Sequence, residues 1–389
     1  MSSSAAVDLT SANYLGLWLG RDRLPDWGNL TTGVPAVLDA GDRSDRVAAA
    51  LSRLIGPSMA AALAPSTLHA CWDVFSVLAR DAGVICVDAA AYPIARWAAE
   101  HAALRGAQRG LRLRRFAHHS PAALRQVVGQ AGGRGPAVVL TDGVCTGCGA
   151  VAPIPDYLAA VTGRGGVVVV DDTQGLGVLG TPAAGHLYGV GGGGVLRHLG
   201  LTAATGAGSV VVVASMAKAF GVPVAVVAST AEFTRTMRTT GQTRVHCSPP
   251  SNAHLAAAEV SLRLNANRGD LLRSVLAERV RQLRDGLIDL DIRPTNGLFP
   301  VQSVRAVPSG IALPLLWRRL RRAGVTGVLL GEQCDHLPAI TFVVTATHST
   351  DHIDRALSVL AESAELGHRG RRVIPRRYRS DHRQPLPCR

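Results

Sequence analysis

The chain has 389 residues, of which 47% are apolar and 4% aromatic, and its formal net charge is +13. That length exceeds one small domain, and the apolar fraction is ample for a sizeable core. No apolar run reaches the roughly 18 to 20 residues that a bilayer span requires, and Met1 to Asp8 carries neither a basic nor an apolar leader region, so no membrane partner is expected and the expected location is the cytoplasm.

The positive charge is unevenly placed. Residues 367–389 hold eight arginines against one aspartate and almost nothing apolar, so they read as a solvated, disordered tail rather than a nucleic-acid module. The seven cysteines form no repeating framework and fit reduced thiols better than disulfides. Cys145 and Cys148 make one C-x-x-C, but no second C-x-x-C and no H-x₃₋₅-H accompany it, so no metal is assigned from spacing.

In chain order, residues 1–40 carry turn signals and one compact apolar knot, Asn13-Tyr14-Leu15-Gly16-Leu17, and read as an irregular arm. Val47, Leu51, Leu54 and Ile55 have helical spacing that Gly56-Pro57 ends. A helix over 67–80 is expected, N-capped by Ser66, whose side chain can accept from an orphan backbone N–H. Short β-branched runs follow at Val84–Val87, Val138–Thr141, Val167–Val170, Val210–Ala214 and Val222–Ala228, each without polar alternation, as strands covered on both faces of a parallel sheet are. Helical stretches at 93–105, 120–131 and 155–162 separate the earlier ones. Strand and helix in alternation predict an open α/β sheet, with ligands beyond the carboxyl ends of the strands. The Gly-rich stretch from Gly180 to Gly208 reads as a long loop, near the rim and so a candidate lid. A long helical pattern covers 252–290, and 291–366 mixes short strands with helices. The expected division is an arm (1–43), a large domain (44–290), a smaller α+β C-terminal domain (291–366) and the basic tail (367–389).

The chain contains a single lysine, Lys218. Arg stays charged at any cellular pH, whereas a lysine amine can be driven neutral and can then attack a carbonyl. Three of the predicted strands end in polar residues: Asp142 after the second, Asp171 after the third, Ser215 and then Lys218 after the fourth. An amine for a Schiff base beside an aspartate that keeps a pyridine nitrogen protonated is the donor set of pyridoxal 5'-phosphate (PLP). Its phosphate would be held by backbone N–H groups at the start of the predicted helix, Ser66, Thr67 and Leu68, and by the Ser215 hydroxyl. A rival motif, Gly175-Leu176-Gly177-Val178-Leu179-Gly180, is literally G-x-G-x-x-G after a strand. It is rejected as a dinucleotide fingerprint because Thr181-Pro182 follows where a long helix is required.

The stretch VVVVDDTQGLGVLG is similar to VDDAHGxGVLG, and VVASMAKAFG to T-x-x-K-A-x-G, of the α-oxoamine synthase family. NYLGL, LRLRRFAHHSPAALRQ, VLTDGVCTGCGAVAPI and SPPSNAHLAAAEVSL fall in the same order, so the resemblance covers about 13–366. It implies a fold-type I, aspartate aminotransferase-like PLP-dependent transferase, acting as a homodimer with shared active sites. By position, Lys218 would carry the cofactor and Asp171 hold its ring nitrogen. Tyr92 would take the place of a stacking histidine, and Gln174 that of a histidine bonded to the cofactor's phenolic oxygen. His246 would stand in the segment that reaches the neighbouring subunit's phosphate. The family's R-x-R strand reads here Ala339-Ile340-Thr341-Phe342, without either arginine. The implied reaction is condensation of an amino acid with an acyl thioester on coenzyme A or a carrier protein, in specialised metabolism, with Lys218 as acid and base. Gln174 and the missing arginines keep a second reading open: aminotransfer, or bond formation at the β or γ carbon of an amino acid. A non-catalytic PLP sensor or nucleic-acid binder using the tail is disfavoured, because no helix-turn-helix precedes the sheet.

Overall fold

The computed structural model describes residues 6–17, 30–31, 33–39, 41–132, 135–202, 209–295, 297–331, 334 and 337–364. The expected tail, 367–389, lies outside the described residues. In chain order the elements are β1 (Val7–Asp8), α1 (Asp42–Ile55), β2 (Ala60–Ala64), α2 (Thr67–Leu78), β3 (Val84–Asp88), α3 (Pro93–Gly106), β4 (Arg112–Phe116), α4 (Pro121–Gln130), β5 (Ala137–Asp142), α5 (Ile154–Thr162) and β6 (Val167–Asp171). There follow β7 (Thr181–Ala183), β8 (His186–Val190), α6 (Val195–His198), β9 (Val210–Ser215), β10 (Ala225–Ser229), α7 (Ala231–Thr240), α8 (Gln242–His246) and α9 (Asn252–Asp289). The last are β11 (Val301–Val304), α10 (Leu313–Arg322), β12 (Val325–Thr326), β13 (Val328–Leu330), β14 (Ala339–Val343) and α11 (Thr350–Ser363).

Seven strands form the main sheet, in the order β2-β10-β9-β6-β5-β3-β4. Its pairings are parallel from β4 through β3, β5 and β6 to β9, while β10 runs antiparallel to both of its neighbours. Successive side chains of a strand face opposite sides, and here both sides are apolar. Cys86, Val139, Val168, Val170 and Val212 join one buried cluster, while Ile85, Val87, Val138, Val169 and Val213 join another under α2 and α3. This is why the strands read as unbroken hydrophobic runs.

The helices obey local rules. Asp42 and Asp45 in the first turn of α1 and Arg53 in its last oppose the helix dipole. Ser66 caps α2 by accepting from the His69 N–H. A second, antiparallel sheet, β11-β14-β13, is joined to the first by the same apolar cluster that contains Val170. No described helix is long and apolar enough to cross a membrane.

Four expectations change. The Val222–Ala228 run yields a strand only at Ala225–Ser229, and that strand is antiparallel. Strands β2 and β4 escape a search for β-branched runs because one is Ala-Ala-Ala-Leu-Ala and the other, at the sheet edge, is Arg-Leu-Arg-Arg-Phe. Within the region read as an arm, Val7 and Asp8 pair in parallel with Val325 and Thr326.

The fourth change concerns the Gly-rich stretch: of the long loop expected over Gly180–Gly208, residues 181–190 form a hairpin of β7 and β8, and 203–208 lie outside the described residues. Side chains of α9 hold the backbone on either side of the hairpin: the Gly191 N–H donates to Asp270 Oδ1 at 2.8 Å, Asn265 Nδ2 donates to the Gly191 carbonyl at 3.0 Å, and buried Arg273 donates to the Gly177 carbonyl at 2.9 Å. Glycine is needed for close approach: a methyl at Gly180 would overlap the Val190 carbonyl, and at Gly194, with φ of +86°, it would overlap the Asp172 carboxylate.

Asp172 anchors the end of this segment. It is 1% exposed, and its Oδ2 accepts from the Val195 N–H at 2.8 Å. Burial pushes its carboxyl up to about 8, with the Asp171 charge adding to the rise. The folded state therefore holds a proton that the unfolded chain releases near 3.8, so this group costs stability as pH rises from about 4 to about 8. Asp172→Asn keeps an acceptor for Val195 and removes the titration. Thermal midpoints measured across that window should fall less steeply in Asp172→Asn than in the parent chain; parallel profiles would refute the assignment.

Candidate active site

Parallel pairing brings the strand ends level. Asp142 and Asp171 are direct register partners at the ends of β5 and β6, and Asp171 is also paired with Val213, just before Ser215 on β9. Lys218 lies in the turn that follows β9 and is partly buried. Burial pushes its amine below the ordinary 10.5, against the pull of the Asp171 and Asp142 charges, which raise it. Both acids are raised in turn, first by burial; for Asp142 the neighbouring Asp171 adds to the effect, while for Asp171 hydrogen bonds from Thr173 and the charge of Lys218 oppose it. The strand-end cluster thus combines two reluctant carboxylates with one reluctant amine.

Both carboxylates are tied to backbone. The Thr173 N–H donates to Asp171 Oδ1 at 3.0 Å, and the Ser215 N–H donates to Thr173 Oγ1 at 3.1 Å, which locks the ends of β6 and β9 together. The Ser215 hydroxyl accepts from the Ala217 N–H at 3.1 Å and keeps its own proton to donate. The Tyr92 N–H donates to Asp142 Oδ1 at 3.0 Å, so Asp142 holds the turn before α3, and the Tyr92 ring is 54% exposed. At the start of α2, Ser66 serves as cap, and the Thr67 and Leu68 N–H groups, in the first turn, have no intrahelical acceptor.

Gln174 has a partner that the sequence reading did not supply. The buried Tyr14 hydroxyl donates to Gln174 Oε1 at 2.6 Å, which leaves the amide nitrogen as the group with protons to offer. Tyr14 belongs to the NYLGL knot, so the signal was visible without its meaning. Burial pushes the Tyr14 phenol up, and it stays neutral. The strand read as lacking both arginines is β14, buried and central in the small sheet, where Thr341 Oγ1 lies 3.0 Å from Ser303 Oγ. His246 is exposed at the end of α8.

The strand-end set fits PLP. It offers an amine depressed toward reactivity, a buried carboxylate that a cationic ring nitrogen would relieve, an amide donor, an exposed aromatic face and a helix start with free N–H groups.

A family model described as aminotransferase class I and II matches residues 50–360. The chain is similar to the 8-amino-7-oxononanoate synthase of Halorhodospira halophila, 31% identical over 277 residues, covering 68% of this chain and 63% of that protein. It spans 62–63% of the length of such curated relatives. Among solved structures, a serine palmitoyltransferase of Sphingomonas wittichii superposes with a TM-score of 0.76 at 20% identity, covering 92% of this chain and 87% of that one. A chain described as SPT with PLP gives 0.75 at 19% identity, with coverage of 92% and 87%. With that match across most of its length, the chain belongs to the aminotransferase class I and II family, with the fold-type I architecture and the PLP cofactor of that family.

Proposed function

We propose that this chain is a PLP-dependent transferase that condenses an amino acid with an acyl thioester, on coenzyme A or a carrier protein, as an α-oxoamine synthase does, in specialised metabolism. The observation that carries the reading is the lone lysine, depressed by burial beside the in-register pair Asp142 and Asp171. The relatives named 8-amino-7-oxononanoate synthase and serine palmitoyltransferase support the class of reaction. The same reading takes 44–290 as the cofactor-binding unit and 291–366 as the smaller one, and it pairs two copies so that His246 of each reaches the other's phosphate site.

Bound here, PLP would supply an electron sink for carbanion chemistry at the amino acid's α-carbon. Lys218 would hold the cofactor and, once displaced by the substrate amine, take up and return the α-proton, for which a depressed amine is suited. Asp171 would keep the ring nitrogen protonated. Gln174, set by Tyr14, would donate to the phenolic oxygen, and Tyr92 would lie over the ring. Ser66, Thr67, Leu68 and Ser215 would bind the phosphate, and Asp142 would hold Tyr92 in place. Because β14 carries no arginine, a carboxylate clamp at the family's position is missing, and this favours a second reading, aminotransfer or bond formation at the β or γ carbon. Release of free thiol only when amino acid and acyl thioester are both present supports condensation; amino-group transfer to a 2-oxo acid without thioester supports the alternative.

Lys218→Ala should abolish covalent retention of PLP and its visible absorbance, and lower turnover by about 10²- to 10⁴-fold. A variant that keeps the covalent link would overturn the assignment. In PLP-free protein the rate of PLP capture should rise with pH and level off below 10.5, the ordinary lysine value, because the neutral amine is the attacking form; a plateau at or above that value argues against a depressed amine. Tyr14→Phe should leave PLP bound but shift the pH at which its visible band changes, since Gln174 loses the bond that orients it; an unchanged titration would remove Gln174 from the cofactor.

A further inference from the structure

A second group of donors lies beside the proposed cofactor site and takes no part in it. His118 follows β4, Cys145 and Cys148 lie in the turn after β5, and Cys334 stands between β13 and β14. One donor atom from each of the four falls within 4.8 Å of all the others. We propose that Cys145, Cys148, Cys334 and His118 Nε2 bind one zinc ion in a closed, four-coordinate structural site.

The distances have the right size. A tetrahedral ion with bonds of about 2.3 Å to sulfur and about 2.0–2.1 Å to nitrogen holds those two atoms about 3.5 Å apart. Cys148 Sγ and His118 Nε2 are separated by 3.5 Å. The other ring nitrogen, His118 Nδ1, is 2.7 Å from Asp88 Oδ1. Asp88 is 1% exposed and fixed by the Ala90 and His119 N–H groups, at 2.9 Å and 3.1 Å. A carboxylate on Nδ1 sets the tautomer that presents a bare Nε2 to a metal. The His119 ring stacks on His118 with centroids 3.8 Å apart, which fixes the plane of the ligand ring.

The cysteine turn is built to the same end. An antiparallel bridge of Val144 with Val151 closes it, the Cys145 N–H donates to the Ala150 carbonyl at 3.0 Å, and the Gly149 N–H donates to the Cys145 carbonyl at 2.7 Å. Gly149 has φ of 69°, which returns the chain after the second cysteine. A Cβ on Gly147 would stand 2.8 Å from Cys334 Sγ and 3.0 Å from Cys334 N, so glycine there lets Cys334 settle onto the turn. Three thiolates and a neutral imidazole around a dication leave one net negative charge, and Arg305, donating to the Gly147 carbonyl at 3.1 Å, places a cation beside it. Binding releases the thiol protons to solvent. A disulfide would use two of the sulfurs and give the Asp88–His118 pair no role. Three soft sulfurs and one imidazole in tetrahedral array suit zinc, and they leave no open position for chemistry.

Spacing alone assigned no metal because the partners of the C-x-x-C are distant in the chain: His118 precedes it, and Cys334 follows the long helix α9. The ion would pin the segment before β14 to the rim of the main sheet, at the exit of the strand that carries Asp142.

The test uses the PLP-loaded full chain, purified under reducing conditions without chelator from zinc-supplemented cells. Elemental analysis should find about one zinc per chain, and Cys148→Ser and Cys334→Ser should each lower it by tenfold or more. Cys86→Ala, on β3 and outside the cluster, should retain it. Asp88→Asn should weaken zinc retention against a competing chelator by about 10- to 100-fold. Should the cysteine variants fail to fold, the parent chain still decides the matter: cobalt exchanged for zinc should show the visible bands of a tetrahedral thiolate site, and a thiol-specific mercurial should release the ion. Parent protein that holds no zinc and takes none up after reduction overturns the proposal. So does a disulfide among these cysteines, iron or copper in place of zinc, or zinc content unchanged in well-folded Cys148→Ser and Cys334→Ser. None of these readouts depends on which reaction the PLP site catalyses.

Discussion

Two carboxylates, Asp142 and Asp171, end neighbouring parallel strands in direct register, and both are pushed toward the protonated form by burial. Side by side in a poorly solvated place they repel each other, and such a pair persists only where hydrogen bonds or positive charge compensate it. Asp142 is met by the Tyr92 N–H, Asp171 by the Thr173 N–H, and both feel the amine of Lys218. Each compensating group is part of the proposed machinery or holds part of it. On the proposed reading, neutralising Asp171 and binding a cationic cofactor ring are one requirement.

That rim also explains why the chain invests so much rigid structure around it. Thr173 ties β6 to β9, and Tyr14, contributed by a segment far away in sequence, sets the Gln174 amide. The Gly-rich hairpin that follows is anchored by Asp172, Asp270, Asn265 and Arg273, so the residues after Asp171 leave the site along a fixed path. The exit of β5 serves twice: Asp142 turns toward Tyr92, and the next residues form the cysteine turn on which Cys334 rests. A zinc ion there would couple the small sheet to the large one at the edge of the strand-end cluster. It would lie near the strand from which the family-like arginines are missing.

The parallel strands were legible because a strand buried on both faces must be apolar at every position, and Val84–Val87, Val138–Thr141, Val167–Val170 and Val210–Ala214 all became strands of the main sheet. The Ser66 cap and the helix it starts were legible for a local reason as well, since capping involves only neighbouring backbone groups. Strands β2 and β4 were not, because alanine and arginine have little intrinsic preference for a strand, and their pairing comes from the neighbour already in place. Glycine density misled over residues 181–191: glycines can mark slack chain or close packing, and only contacts with α9 tell which.

From sequence alone came the alternating α/β order, the single amine, and the acids at successive strand ends, since these follow from composition and local periodicity. Tertiary structure decided which distant groups meet. Tyr14 reaches Gln174, β10 reverses direction, and His118 and Cys334 close on a cysteine pair that looked incomplete. The reason is physical: hydrogen-bond and metal-ligand geometry depends on distances of a few ångströms between side chains, and chain spacing constrains such distances only within a turn or two of the same element.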